Sequence, residues 1–189
     1  MGREFELKFK ATDDAFVQIR ALWQDWEEIS METTYFDTED GILSAKHCTL
    51  RQRMENGISV CTMKTPTGGL GRGEWEQKAL WCPETVEKLF ISAGQEPISF
   101  TELTIVCGAR FRRLAKIVKL PGCVVEISLD AGILLGGGKE IPLRELEVEC
   151  KGGSEAAMIA WTKHLAERFG LEAESQSKFR RASLLAKGE

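Results

Sequence analysis

Several stretches of this chain alternate charged with apolar residues, and the charges come in ordered runs. Glu4, Glu6 and Lys8 alternate with Phe5, Leu7 and Phe9, while Glu145, Glu147 and Glu149 alternate with Leu146 and Val148. Glu126, Ser128 and Asp130 oppose Val125, Ile127 and Leu129; Glu74, Glu76 and Lys78 share a parity; Arg51 pairs with Arg53 and Thr62 with Lys64; Arg113 adds a cation to a small, apolar face. A period of two places each set on one face of a strand. Carboxylates in line repel one another, and like charges directly across a sheet are destabilising. Interleaved Arg and Lys, or a bound cation, must compensate. Alternation alone leaves two arrangements open: faces turned to water, or a barrel interior carrying both signs. In the second, the carboxylates would hold a hard cation such as Mg²⁺ or Mn²⁺. The Arg and Lys side chains would hold an anion, with guanidinium matching phosphate oxygens bidentately. Metal plus cationic clamp is the equipment of phosphoryl transfer.

The elements that must position these residues follow from the same reading. Thr12 caps an expected helix over "ATDDAFVQIRALWQDW", with Phe16, Ile19, Trp23 and Trp26 on one face. Asn56-Gly57 between alternating runs signals a hairpin. Pro83 opens a helix that Gly94 stops, and two strands meet across Pro121-Gly122. Ser154 to Gly170 reads as a helix with Met158, Trp161, Leu165 and Phe169 inward, and "SKFRRASLLAK" as a short final helix. An α+β chain with a large, mostly antiparallel sheet follows, as one domain over residues 1–189.

Composition narrows the class. With 189 residues, 43% hydrophobic and 29% charged, the chain is long enough for its own core. A net charge of −4 argues against broad binding to nucleic acid or membrane, without excluding a local basic site. No apolar run is long enough to span a bilayer, and the N-terminus lacks a signal-peptide core. The six cysteines are scattered without a C-x-x-C pair, so reduced core residues of a cytoplasmic protein are expected rather than zinc ligands.

Taken in order, these motifs resemble the CYTH, or triphosphate tunnel metalloenzyme, superfamily. The resemblance runs from Glu4-x-Glu6-x-Lys8 through "YFDT", "LRQR", "TMK", "RGEWE", Arg113, "VEISLD" and "RELEVE" to "SKFRRA". Within it, the chain is most similar to the CYTH domain of bacterial inorganic triphosphatases. The resemblance implies an eight-stranded antiparallel β-barrel with flanking helices, a tunnel open at both ends, and dependence on one or two Mg²⁺ or Mn²⁺ ions. Those bacterial enzymes carry a second, helical CHAD domain that this sequence does not include. Substrate preference and partners are therefore left open, a dimer among them.

The roles implied are specific. Lys8, Arg51, Arg53, Lys64, Arg113, Lys178 and Arg181 would hold the oxygens of a triphosphate-containing small molecule. Glu4, Glu6, Glu126, Asp130, Glu145 and Glu147 would ligate metal, with Glu4, Glu6 and Lys8 closest to the chemistry. Glu74 is expected to pair with tunnel cations, Asp37 to cap a turn or orient a basic residue, and Arg180 to be an exposed helix cation. The activity implied is hydrolysis of inorganic triphosphate to pyrophosphate and phosphate. Alternatives are adenylate cyclase, thiamine triphosphatase, or a polyphosphate- or nucleotide-binding module without turnover. The two organic-substrate alternatives need a pocket at the tunnel mouth that the sequence does not reveal.

Overall fold

A computed structural model describes residues 2–67 and 72–189, with side chains from residue 5 onward. The "TGGL" segment therefore lies largely outside the described residues. Ten strand segments form one antiparallel sheet: β1 (Gly2–Glu4), β2 (Glu6–Lys10), β3 (Glu27–Asp37), β4 (Thr49–Glu55), β5 (Ile58–Pro66), β6 (Arg72–Lys78), β7 (Thr104–Leu120), β8 (Cys123–Gly136), β9 (Lys139–Gly153) and β10 (Glu172–Ala173). Their order is β1-β6-β5-β4-β3-β7-β8-β9-β2-β10. The two sides of this sheet are joined by covalent continuity. Residues 2–4 pair with β6 and residues 6–10 pair with β9, with only Phe5 between them. The Phe5 carbonyl still accepts a 2.9 Å bond from the Cys150 amide. Counting residues 2–10 as one strand gives the eight expected, plus the two-residue β10.

Registers carry the charged parity around the sheet. Lys8 lies opposite Glu147, Asp130 opposite Arg113 and Glu145, and Thr33 opposite Arg53. Arg51 lies opposite Thr62, and Lys64 opposite Glu74. The alternate residues are apolar and face outward under helices. Phe5, Phe9, Ile127, Leu129, Leu146 and Val148 form one core with α1 (Asp13–Arg20) and α4 (Glu155–Phe169). Leu50, Cys61 and Met63 form another with α3 (Pro83–Ser92). Trp75 packs onto that second core and is no stacking platform inside the tunnel.

Two expectations are corrected. Helix α1 ends at Arg20, three residues before Trp23. The Trp26 indole instead donates to the carbonyls of Arg20 and Trp23, at 2.9 and 3.0 Å, so the tryptophans close the helix rather than extend it. The tunnel interior is also not free along its length. The last helix, α5 (Lys178–Lys187), lays Ala182 against Met31, Tyr35, Ala109, Phe111 and Leu134. Met31 and Tyr35 share parity with Thr33, and Ala109 and Phe111 share parity with Arg113, so α5 packs on the charged, inner face.

The remaining helix, α2 (Ile42–Ala45), hangs on Asp37. That carboxylate accepts from the amides of Thr38, Leu43 and Ser44 and from the Ser44 hydroxyl, at 2.6 to 2.9 Å. Asp37 is thus the turn cap expected of it. All six cysteines are free thiols. No helix among the described residues is long and apolar enough to cross a membrane.

Candidate active site

Six of the seven predicted anion-holding residues come together. Lys8, Arg51, Arg53, Lys64, Arg113 and Lys178 line one cavity of about 110 Å³, joined by Arg72. Among the described residues the same wall carries three carboxylates, Glu6, Glu147 and Glu149. A protein of net charge −4 thus gathers seven cations around one cavity.

The cations of β4 and β5 meet carboxylates of β4 and β6. Glu74 sits 3.3 Å from Lys64 and 3.6 Å from Arg51, the partner role expected of it. Arg53 meets Glu55 and, at 3.8 Å, Glu76. Burial and then the neighbouring Arg51 pull the Arg53 pKa down, with Arg113 adding to the repulsion. An arginine does not give up its proton in response. Lys8, 3.2 Å from Glu6, is held charged against burial by Glu6 and Glu147.

The carboxylates separate into groups that parity could not distinguish. Oxygens of Asp130, Glu145 and Glu147 lie within 4.8 Å of one another, all buried. Three cations neutralise them. Arg113 donates to both oxygens of Asp130, at 2.8 and 2.7 Å, and to Glu147. The Lys178 ammonium lies 2.8 Å from Asp130 and 2.6 Å from Glu147, and also contacts Glu145. Arg181 binds Glu145, with Glu174 at 3.6 Å, and lies behind the cavity rather than in its wall. Burial works to raise the Glu147 pKa, but Lys178 and Arg113 overcome it and hold the carboxylate ionised. The same carboxylates and Glu145 hold Lys178 charged against its own desolvation.

Glu126 stands apart from the cluster, 3.7 Å from Lys151 and accepting from the Ser128 hydroxyl at 3.4 Å. Glu149 shares Lys151 at 2.7 Å and lies directly across from Glu6. The side chain of Glu4 is outside the described residues; its backbone pairs with Arg72. An all-oxygen set of buried carboxylates suits Mg²⁺ or Mn²⁺ rather than a soft metal, so in type these residues fit the ion.

Sequence reading passed over Arg72, Thr33, Tyr35, Thr49 and Phe179, all in the cavity wall. Arg72 had a signal, since it shares parity with Glu74 and Glu76. Its guanidinium donates to the His47 carbonyl at 2.7 Å and to Thr49 Oγ1 at 3.3 Å. Arg72, Thr49, Ser177 and Phe179 also line a second chamber of about 870 Å³. Ile105, Val106 and Pro66 form its apolar side, and the exposed Arg180 and Lys187 share its rim with Glu39 and Asp40. This is the mouth pocket that the sequence did not reveal.

Residues 2–183 match the sequence profile of the CYTH domain. The chain belongs to the CYTH family. Its sequence is 25% identical over 197 residues to the inorganic triphosphatase of Haemophilus influenzae, covering 98% of this chain. It spans only 55% of that protein's length. Among solved structures it resembles the Hippeastrum protein HpAC1, assigned as an adenylyl cyclase but with a dominant triphosphatase activity. That comparison has a TM-score of 0.69 and 16% identity, covering 100% of this chain and 97% of the other. It also resembles the PH1819 protein of Pyrococcus horikoshii OT3, with a TM-score of 0.68 and 21% identity over 98% and 99% of the two chains. At such identities these structures speak for the CYTH fold, a mostly antiparallel, tunnel-like sheet with flanking helices.

Proposed function

We propose that this CYTH protein hydrolyses inorganic triphosphate to pyrophosphate and phosphate with the help of a divalent metal. The observation that carries the reading is the gathering of seven cations in one cavity wall, with three carboxylates beside them among the described residues and Arg51, Arg53 and Arg113 crowded together. A small, densely charged polyanion relieves that crowding, and its oxygens suit the bidentate fork of arginine. The identity to an inorganic triphosphatase supports the same class of substrate.

In this reading Arg51, Arg53 and Lys64 grip the phosphates from one wall, while Lys8, Arg113 and Lys178 meet them from the other. Charge-assisted contacts of this kind neutralise the phosphoryl oxygens and align the chain for in-line attack by water. Asp130, Glu145 and Glu147, with Glu6 at the cavity wall, are the residues that would hold the metal. When bound, it would neutralise phosphate charge and acidify water. Glu6 and Lys8, 3.2 Å apart, are placed to accept and return the proton that the attacking water loses.

The chamber beyond Arg72 favours a second reading, in which the triphosphate carries an organic group. The carboxylates do not by themselves require turnover, because Asp130, Glu145 and Glu147 already anchor α5 through Lys178 and Arg181, as a binding module without hydrolysis would also need. Phosphate release from tripolyphosphate, ATP and thiamine triphosphate with Mg²⁺ or Mn²⁺, with cyclic AMP monitored, separates the three. Rapid release from tripolyphosphate alone is expected. Release from an organic triphosphate only, cyclic AMP formation, or binding without release would each overturn the reading.

A further inference from the structure

We propose that Lys178 and Arg113 guard the Asp130–Glu145–Glu147 cluster against free divalent cations and surrender it only to a metal arriving with triphosphate. This inference rests on the functional reading above and adds an order of assembly to it.

The argument begins with charge. Three buried carboxylates face three cations, so the cluster is balanced as it stands. Adding a divalent ion would leave two surplus positive charges where water is excluded, a cost that low-dielectric surroundings magnify. The Lys178 ammonium also occupies the space, touching all three carboxylates at once. A free ion must therefore displace partners that have nowhere better to go.

Triphosphate changes that. Lys178 and Arg113 are the two cluster cations that also line the cavity, whereas Arg181 does not. Phosphate oxygens offer both side chains an equivalent partner without moving the backbone. Helix α5 keeps its seat, because Ala182 stays packed and Arg181 stays on Glu145. When the two cations turn to phosphate, Asp130 and Glu147 lose their compensation, and a divalent ion restores it. Anion and metal thus exchange partners with the protein in one step. Such coupling is reciprocal: each ligand must tighten the other by the same factor.

Equilibrium dialysis of the intact chain against Mn²⁺, with and without imidotriphosphate as the non-hydrolysable probe, reads this directly. Free Mn²⁺ and its complex with the probe equalise across the membrane, so the excess on the protein side is protein-bound. Mn²⁺ is expected to bind roughly tenfold or more tightly when the probe is present, and the probe to tighten by the same factor with Mn²⁺. Lys178→Met should bind Mn²⁺ without the probe and lose most of the coupling. Should that variant fail to fold, the Mn²⁺ affinity of the unmodified protein with and without the probe decides alone. Equal Mn²⁺ binding with and without the probe would overturn the swap while leaving the functional reading intact. Failure to bind the probe under any condition would overturn both.

Discussion

Around single residues, the structure turns a list of charges into pairs, and the pairs sort the roles. Arg53 lines the cavity, paired with Glu55 but repelled by Arg51 and Arg113, so a phosphate oxygen would add counter-charge against that repulsion. Arg53→Ala is expected to weaken tripolyphosphate binding by about 1.5–3 kcal/mol, the range for a hydrogen bond to a charged group. Steady-state kinetics should show this mainly as a raised KM. Glu6 differs: it lines the cavity, contacts Lys8 and carries no part of the α5 anchor. Glu6→Gln should abolish metal-dependent hydrolysis while circular dichroism and melting stay those of the parent. Unchanged turnover in that variant would remove Glu6 from the mechanism. Parity showed from the sequence that these residues share a face. It could not show which carboxylate meets which cation, because partners on β2, β7, β8, β9 and α5 are set by registers spanning most of the chain. Hence parity does not reveal that Glu126 meets Lys151 apart from the buried cluster, or that Arg181 meets Glu145.

Legibility at the level of elements follows the local chemistry. Helices α3, α4 and α5 were readable because Pro83, Ser154, Ser177 and Gly170 mark their ends, and the Asn56-Gly57 hairpin because both residues take positive φ, 48° and 84°. Strand β3 was not, and α5 explains it. The inward residues Met31, Thr33 and Tyr35 mix apolar with polar, since half of that face meets a helix and half meets the cavity. Where a helix enters a barrel, the alternation that betrays the barrel disappears. The same insertion makes Gly136 necessary. A Cβ there would lie 2.7 Å from the Ala186 amide nitrogen and closer still to the Ala182 carbonyl oxygen, both backbone atoms that cannot step aside. Gly136→Ala should therefore push α5 outward and cost about 1–3 kcal/mol, as overpacking does. Gly152→Ala, whose Cβ meets nothing within 4 Å, is the control expected to change little. Urea unfolding of both variants checks the difference, and equal stability would mean that α5 does not press on β8.

For the whole molecule, the decisive feature is that one nine-residue stretch holds the two sides of the sheet together. Residues 2–4 belong to the β6 side and residues 6–10 to the β9 side, with Phe5 as the joint. The Phe5 ring is buried in the core beneath α1 and α4, so closure of the tunnel depends on the packing of one outward side chain. Glu6 and Lys8 ride on the same stretch and face the cavity. Phe5→Ala should cost about 3–5 kcal/mol in stability, as large-to-small core changes do, and should also weaken tripolyphosphate binding. Phe90→Ala provides the comparison. Phe90 is as deeply buried, but it belongs to α3 and lies away from the joint. It should lose similar stability and keep its affinity when both variants are assayed at a temperature where each is fully folded. Titration calorimetry with imidotriphosphate makes the measurement. If the two variants bound equally well, the tunnel would be held closed by the strand pairings on either side, and Phe5 would be only a core residue.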